Sequence, residues 1–126
     1  MTRILVVDDS PNQLTRIVST LYSAGYEVTS ASDWAECRAM LHGIAPDLIL
    51  LDVNLAGTQG GDILALQLKK HPTLKAAKVV FHSASKGPDL QVMVRRSGAD
   101  GFIIKGQTEQ QFLSAVKSFL VPPDKG

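Results

Sequence analysis

The chain has 126 residues, enough for one domain with a substantial core and too few for two. With 44% hydrophobic residues, 20% charged residues and a formal net charge of +1, it reads as a globular protein rather than a disordered or strongly nucleic-acid-binding one. Its single cysteine, Cys37, excludes an intrachain disulfide, and the lack of any Cys/His cluster excludes a zinc site.

From end to end, apolar runs of strand length alternate with segments of helical period, the pattern of a parallel sheet covered on both faces. Strands are expected near residues 3–7, 27–31, 47–51, 79–83 and 101–105. The first helix has the clearest start: Ser10 offers a capping hydroxyl, Pro11 stands at the first helical position and Gln13 at the capping-box position. Leu14, Ile17, Val18, Leu21 and Tyr22 then form one stripe facing the core, and Gly25 stops the helix.

A second helix begins after Ser32 or Asp33, turns Trp34, Cys37 and Leu41 inward and ends at Gly43, before Pro46. A third runs from about Gly60 to His71 and stops before Pro72; a fourth runs from about Pro88 to Ser97 and stops at Gly98. Thr108-Glu109-Gln110-Gln111 is a second capping box, and Phe112, Leu113, Val116, Phe119 and Leu120 give the last helix an apolar face. The domain therefore occupies residues 1–121. Pro122-Pro123-Asp124-Lys125-Gly126 cannot continue a helix and reads as a tail or a linker stub. Neither an apolar leader after Met1-Thr2-Arg3 nor a run of about 18 apolar residues is present, so a cytoplasmic chain without membrane insertion is expected.

Polar residues follow four of the apolar runs directly: Asp8 and Asp9 after Ile4-Val7, Asp52 after Leu48-Leu51, Ser83 after Val79-His82, and Lys105 after Phe102-Ile104. In an open parallel sheet, residues just past the carboxyl ends of the strands converge, so these positions form one site. Two carboxylates about 4 Å apart repel by roughly 4 kcal/mol at an effective dielectric near 20, and a cluster of three calls for a cation or a shared proton. With a hydroxyl and an ammonium beside them, the set fits metal-assisted phosphoryl chemistry.

Residues 2 to 121 resemble the receiver domains of bacterial response regulators. The matching pieces are Ile4-Leu5-Val6-Val7-Asp8-Asp9-Ser10, Asp47-Leu48-Ile49-Leu50-Leu51-Asp52 with Asn54 and Gly60, Ser83-Ala84, and Gly98-Ala99-Asp100-Gly101-Phe102-Ile103-Ile104-Lys105. The resemblance implies a flavodoxin-like α/β three-layer sandwich with five helices and a five-stranded parallel sheet of order 2-1-3-4-5. It makes Asp52 the phosphoacceptor. Mg2+ would be held by Asp9, Asp52 and the backbone carbonyl of Asn54, with Asp8 acting mainly through water. Ser83, Ala84 and Lys105 would bind the phosphoryl group. Ser83 and Phe102 would form the switch that remodels the surface of the fourth helix, fifth strand and fifth helix for a downstream protein.

The implied donor is a sensor histidine kinase or a histidine phosphotransfer protein, docked on the first helix, with no direct nucleic-acid contact. Such a chain promotes its own phosphorylation and dephosphorylation and is not a multiple-turnover enzyme. Two departures stand out. Gly106 replaces the proline usual after the lysine, which predicts a trans bond and a looser loop. Ala56 and Gly57, with Gly60 and Gly61, make the loop after Asp52 more adaptable than is usual.

Two other readings stand beside this one. One is a degenerate receiver that binds partners without phosphorylation. The other is a haloacid-dehalogenase-type phosphatase, opposed by Asn54 where that family has a second aspartate and by the lack of a cap domain. His82 is read as structural, since alternation along the strand turns it away from the face of Ser83. His42 and His71 fall at helix C-termini and read as solvated. Lys69-Lys70-His71 is too short for a nucleic-acid patch.

Overall fold

The structure, a computed structural model, describes residues 2–53, 61–74, 76–84 and 88–120, with the backbone alone for Gly61, Asp62, Thr73, Pro88 and Asp89. The expectations for Asn54, Ala56, Gly57 and Gly60, and for the tail from residue 122, lie outside those residues. In chain order the elements are β1 (Arg3–Val7), α1 (Pro11–Ser23), β2 (Glu27–Ala31), α2 (Trp34–Met40), β3 (Leu48–Asp52) and α3 (Gly61–Lys69). A 3-10 turn (Pro72–Leu74) follows, then β4 (Lys78–Ser83), α4 (Pro88–Ser97), β5 (Gly101–Ile104) and α5 (Glu109–Leu120). The strands form one parallel sheet in the order β2-β1-β3-β4-β5, so the flavodoxin-like expectation holds.

Alternation along the strands builds a core on each face. Leu5, Val7, Ile49, Leu51, Val79 and Phe81 point to the side covered by α2, α3 and α4, where Cys37, Leu64, Leu68 and Leu90 meet them. Ile4, Val6, Leu48, Leu50 and Val80 point to the other side, against Ile17 and Leu21 of α1 and Phe112 and Val116 of α5. The central strands are continuous apolar runs because both of their faces are covered.

Helix ends follow the local grammar. Ser10 Oγ accepts from Gln13 N at 3.5 Å, and Asp33 accepts from Glu36 N at 2.8 Å. Thr108 and Gln111 form the reciprocal pair of a capping box, both bonds at 3.1 Å. Two expectations are corrected. Tyr22 is not core: it is 73% exposed, because it sits 100° around the helix from Leu21. His71 is half-buried rather than solvated. The 3-10 turn was not foreseen, yet it carries Leu74 to full burial.

Candidate functional site

At the carboxyl end of the sheet the chain leaves β1 through Asp8, whose N–H donates to Ala31 carbonyl at 3.1 Å and so extends the β1–β2 ladder by one residue. The Asp8 carboxylate then accepts from Ser10 N at 2.9 Å, a local turn that fixes the side chain and leads into α1. Asp52 is the last residue of β3, one position later than the strand boundary read from the sequence, in register with His82 of β4. Asp8 and Asp52 are buried and Asp9 is exposed. One carboxylate oxygen from each of the three lies within 4.8 Å of the others.

Lys105 joins the acids from β5. Its backbone N–H donates to the Ser83 carbonyl at 2.7 Å, and its Nζ lies 3.3 Å from both Asp8 Oδ2 and Asp52 Oδ1. Its bond to Gly106 is trans, as expected, and Gly106 takes φ +89°, a conformation natural to glycine. Ser83 is buried at the end of β4, and Ala84 beside it is exposed. Phe102 is set back from the acids on β5, half-buried against the core on the α4 side. The structure thus joins Asp8, Asp9, Asp52 and Lys105 through side chains and Ser83 through its backbone. Asn54 lies outside the described residues.

Three carboxylates and one ammonium carry a formal charge of −3 + 1 = −2, which a divalent cation would cancel. Octahedral Mg2+ with oxygens at about 2.1 Å sets adjacent ligands roughly 3 Å apart and opposite ligands roughly 4 Å apart. The acid oxygens lie within 4.8 Å of one another, close enough to converge on one such ion. The donor set is all oxygen, the chemistry that Mg2+ prefers.

His82 adds something the sequence reading did not foresee. Alternation does turn it away from Ser83, and register places it opposite Asp52; paired residues of adjacent strands share a sheet face, so the pairing was the available signal. His82 is 6% exposed, and its ring tilts against Phe112 of α5, centroids 5.5 Å apart. Burial, reinforced by the nearby Lys105 ammonium and partly offset by Asp8, pulls its pKa down to about 4. The ring is therefore neutral near pH 7.

A parallel five-stranded sheet with acids at the β1 and β3 ends and lysine at the β5 end defines a class, and the comparisons agree. The chain belongs to the response regulator receiver domain family, which it matches over residues 4–117. Protein PilH of Pseudomonas aeruginosa is 28% identical over 120 residues, covering 95% of this chain and 98% of PilH. The response regulator PleD of Caulobacter vibrioides is 34% identical over 116 residues, covering 92% of this chain but only 25% of PleD. Among solved structures, the chemotaxis protein CheY4 of Vibrio cholerae superposes with a TM-score of 0.89 at 26% identity, covering 95% of this chain and 99% of CheY4. The chain is thus a phosphoacceptor signalling domain. No helix among its described residues is long and apolar enough to cross a membrane.

Proposed function

We propose that Asp52 receives the phosphoryl group and that Asp8, Asp9 and Asp52 hold Mg2+, with the Asn54 carbonyl as a further ligand. The observation that carries this reading is the meeting of three carboxylates with a lysine that bridges two of them. An Asp52 carboxylate oxygen attacks phosphorus in line. The new O–P bond forms as the P–O bond of acetyl phosphate breaks and acetate departs, or as the P–N bond of a phosphohistidine whose other ring nitrogen carries a proton breaks and neutral imidazole departs. When bound, the cation offsets the negative charge that gathers at the site.

Lys105 places its ammonium on a phosphoryl oxygen as a point charge, and the Ser83 hydroxyl and the exposed edge at Ala84 complete the phosphoryl site. Engagement of Ser83 frees space into which Phe102 turns, which converts a charge change into a packing change. Phe102 lines a cavity of about 370 Å3 with Val94, Arg95 and Phe119, on the face of α4, β5 and α5 that the downstream protein would use. A sensor histidine kinase or histidine phosphotransfer protein supplies the phosphoryl group in the cytoplasm, docking on α1. The chain acts as acceptor and switch, without multiple turnover.

The test is labelling by acetyl phosphate or phosphoramidate. Label should appear only with Mg2+ and should vanish in Asp52→Ala. Label that persists in that variant rejects Asp52 as acceptor. Equal partner affinity with and without beryllofluoride would favour phosphorylation-independent binding instead.

A further inference from the structure

The turn that leads from β5 into α5 carries Lys105 at its start, and no buried side chain holds it down. Gly106 to Gln111 are all exposed, and Gly106, at φ +89°, stands where the family's usual proline would stiffen the backbone. A cavity of about 380 Å3 lies between this turn, at Gly106, Gln107 and Glu109, and Arg16, Ile17 and Thr20 of α1. A segment with so little packing beneath it depends on its hydrogen bonds for its position.

Apart from the ammonium of Lys105 itself, two bonds among the described residues tie the turn to the rest of the molecule. At its start the Lys105 N–H donates to the Ser83 carbonyl at 2.7 Å. At its end Thr20 Oγ1 donates to Glu109 Oε1 at 3.2 Å, the one side-chain hydrogen bond between α1 and α5 among those residues. The other bonds are internal: Thr108 and Gln111 cap each other, and Phe112 N donates to the Thr108 carbonyl at 2.9 Å. A threonine within a helix commonly turns its hydroxyl to a carbonyl of its own preceding turn. The buried Thr20 reaches across to α5, where its acceptor is a carboxylate, the stronger kind of partner.

We propose that Thr20 and Glu109 are positioning residues for phosphoryl transfer: their bond pins the far end of the turn to α1 and so aims the Lys105 ammonium, in a chain that lacks the proline restraint. This rests on the reading of Lys105 as the partner of a phosphoryl oxygen. At rest Asp8 and Asp52 hold the ammonium, each at 3.3 Å, but a divalent cation on those carboxylates competes for the same oxygens. The direction of the lysine side chain then depends on its backbone, and the backbone on the two ends of the turn.

Three substitutions in the full chain test this, each checked as folded by circular dichroism. Thr20→Val keeps the shape and removes the donor, Glu109→Ala removes the acceptor from an exposed position, and Thr20→Ser keeps the donor. The 15N order parameters of the Gly106 and Gln107 amides, about 0.85 for a rigid backbone, should fall toward about 0.6 in Thr20→Val and Glu109→Ala and stay high in Thr20→Ser. Labelling by acetyl phosphate with Mg2+ should slow about tenfold in the first two and keep the wild-type rate in the third. In a Lys105→Ala background the same substitutions should slow labelling no further, since no ammonium is left to aim. Unchanged order parameters in Thr20→Val, equal slowing in Thr20→Ser, or full additivity with Lys105→Ala would each overturn the assignment. The amides are read without a phosphoryl donor, so failure of the tether and failure of Asp52 labelling are separate results.

Discussion

The buried imidazole of His82 makes stability depend on pH in a calculable way. An ordinary histidine titrates near 6.5, and this one is held at about 4 in the fold. Below pH 6.5 the unfolded chain takes up a proton that the folded chain refuses. Stability is therefore full above that point and falls as the pH drops toward 4, below which both states are protonated and no more is lost. The gap between 6.5 and about 4 corresponds to about 3 kcal/mol in all, of which about 2 kcal/mol is already gone at pH ~5.

Other groups titrate in the same window, so the measurement is a difference. Urea unfolding of the wild type and of His82→Leu, which replaces the ring with a non-titrating side chain of similar size, would be followed at about pH 7.5 and about pH 5. The wild type should lose about 2 kcal/mol more than the variant across that interval. Parallel losses in the two proteins would refute the reasoning, because they would mean that the folded ring takes up its proton as readily as the unfolded one.

Three further outcomes follow from local geometry. Gly106→Pro, which installs the residue usual in this family, should destabilise by at least ~1 kcal/mol, since φ +89° cannot be reached by a ring locked near −65°; an unchanged or raised melting temperature would contradict this. A Cβ on Gly101 would lie 2.5 Å from Phe119 Cε1 and 2.6 Å from Cζ, so Gly101→Ala should cost about 1–3 kcal/mol. In a double-mutant cycle with Phe119→Ala that cost should largely disappear, whereas strict additivity would show that the ring is not the obstacle. Cys37 is fully buried and its thiol is pushed up to about 12, so a disulfide reagent at mildly alkaline pH should modify it at the rate of unfolding; rapid stoichiometric reaction of the native protein would exclude the buried placement.

Most of the site was legible because strand-end positions are few and the chain writes them plainly: an apolar run, then a residue of chemistry. Asp8, Asp52 and Lys105 needed no long-range knowledge beyond the direction of the strands. The α5 cap was equally plain, since a capping box is a contact between neighbours in sequence. What escaped notice depends on longer relations or on very short elements. The turn that buries Leu74 spans three residues, too few for any period to register. Tyr22 continues the apolar period of α1 but lies past the edge of the stripe that meets the core. His82 takes its character less from its sequence neighbour Ser83 than from its register partner Asp52 and from Phe112, thirty positions away in sequence.

Lys105 is where these relations meet, and its restraint explains how a site lacking the family's usual proline stays ordered. The lysine's backbone is tied to β4 through the Ser83 carbonyl at 2.7 Å, and its ammonium to β1 and β3 through Asp8 and Asp52. Three strands thus position one charge. The ammonium is shared equally, 3.3 Å from each carboxylate, so any change of charge on Asp52 alters the balance that holds the side chain. A phosphoryl group on Asp52 would offer new anionic oxygens and draw Lys105 away from Asp8. That displacement would act on the β5–α5 turn at Gly106, where positive φ leaves the backbone free of Cβ constraint.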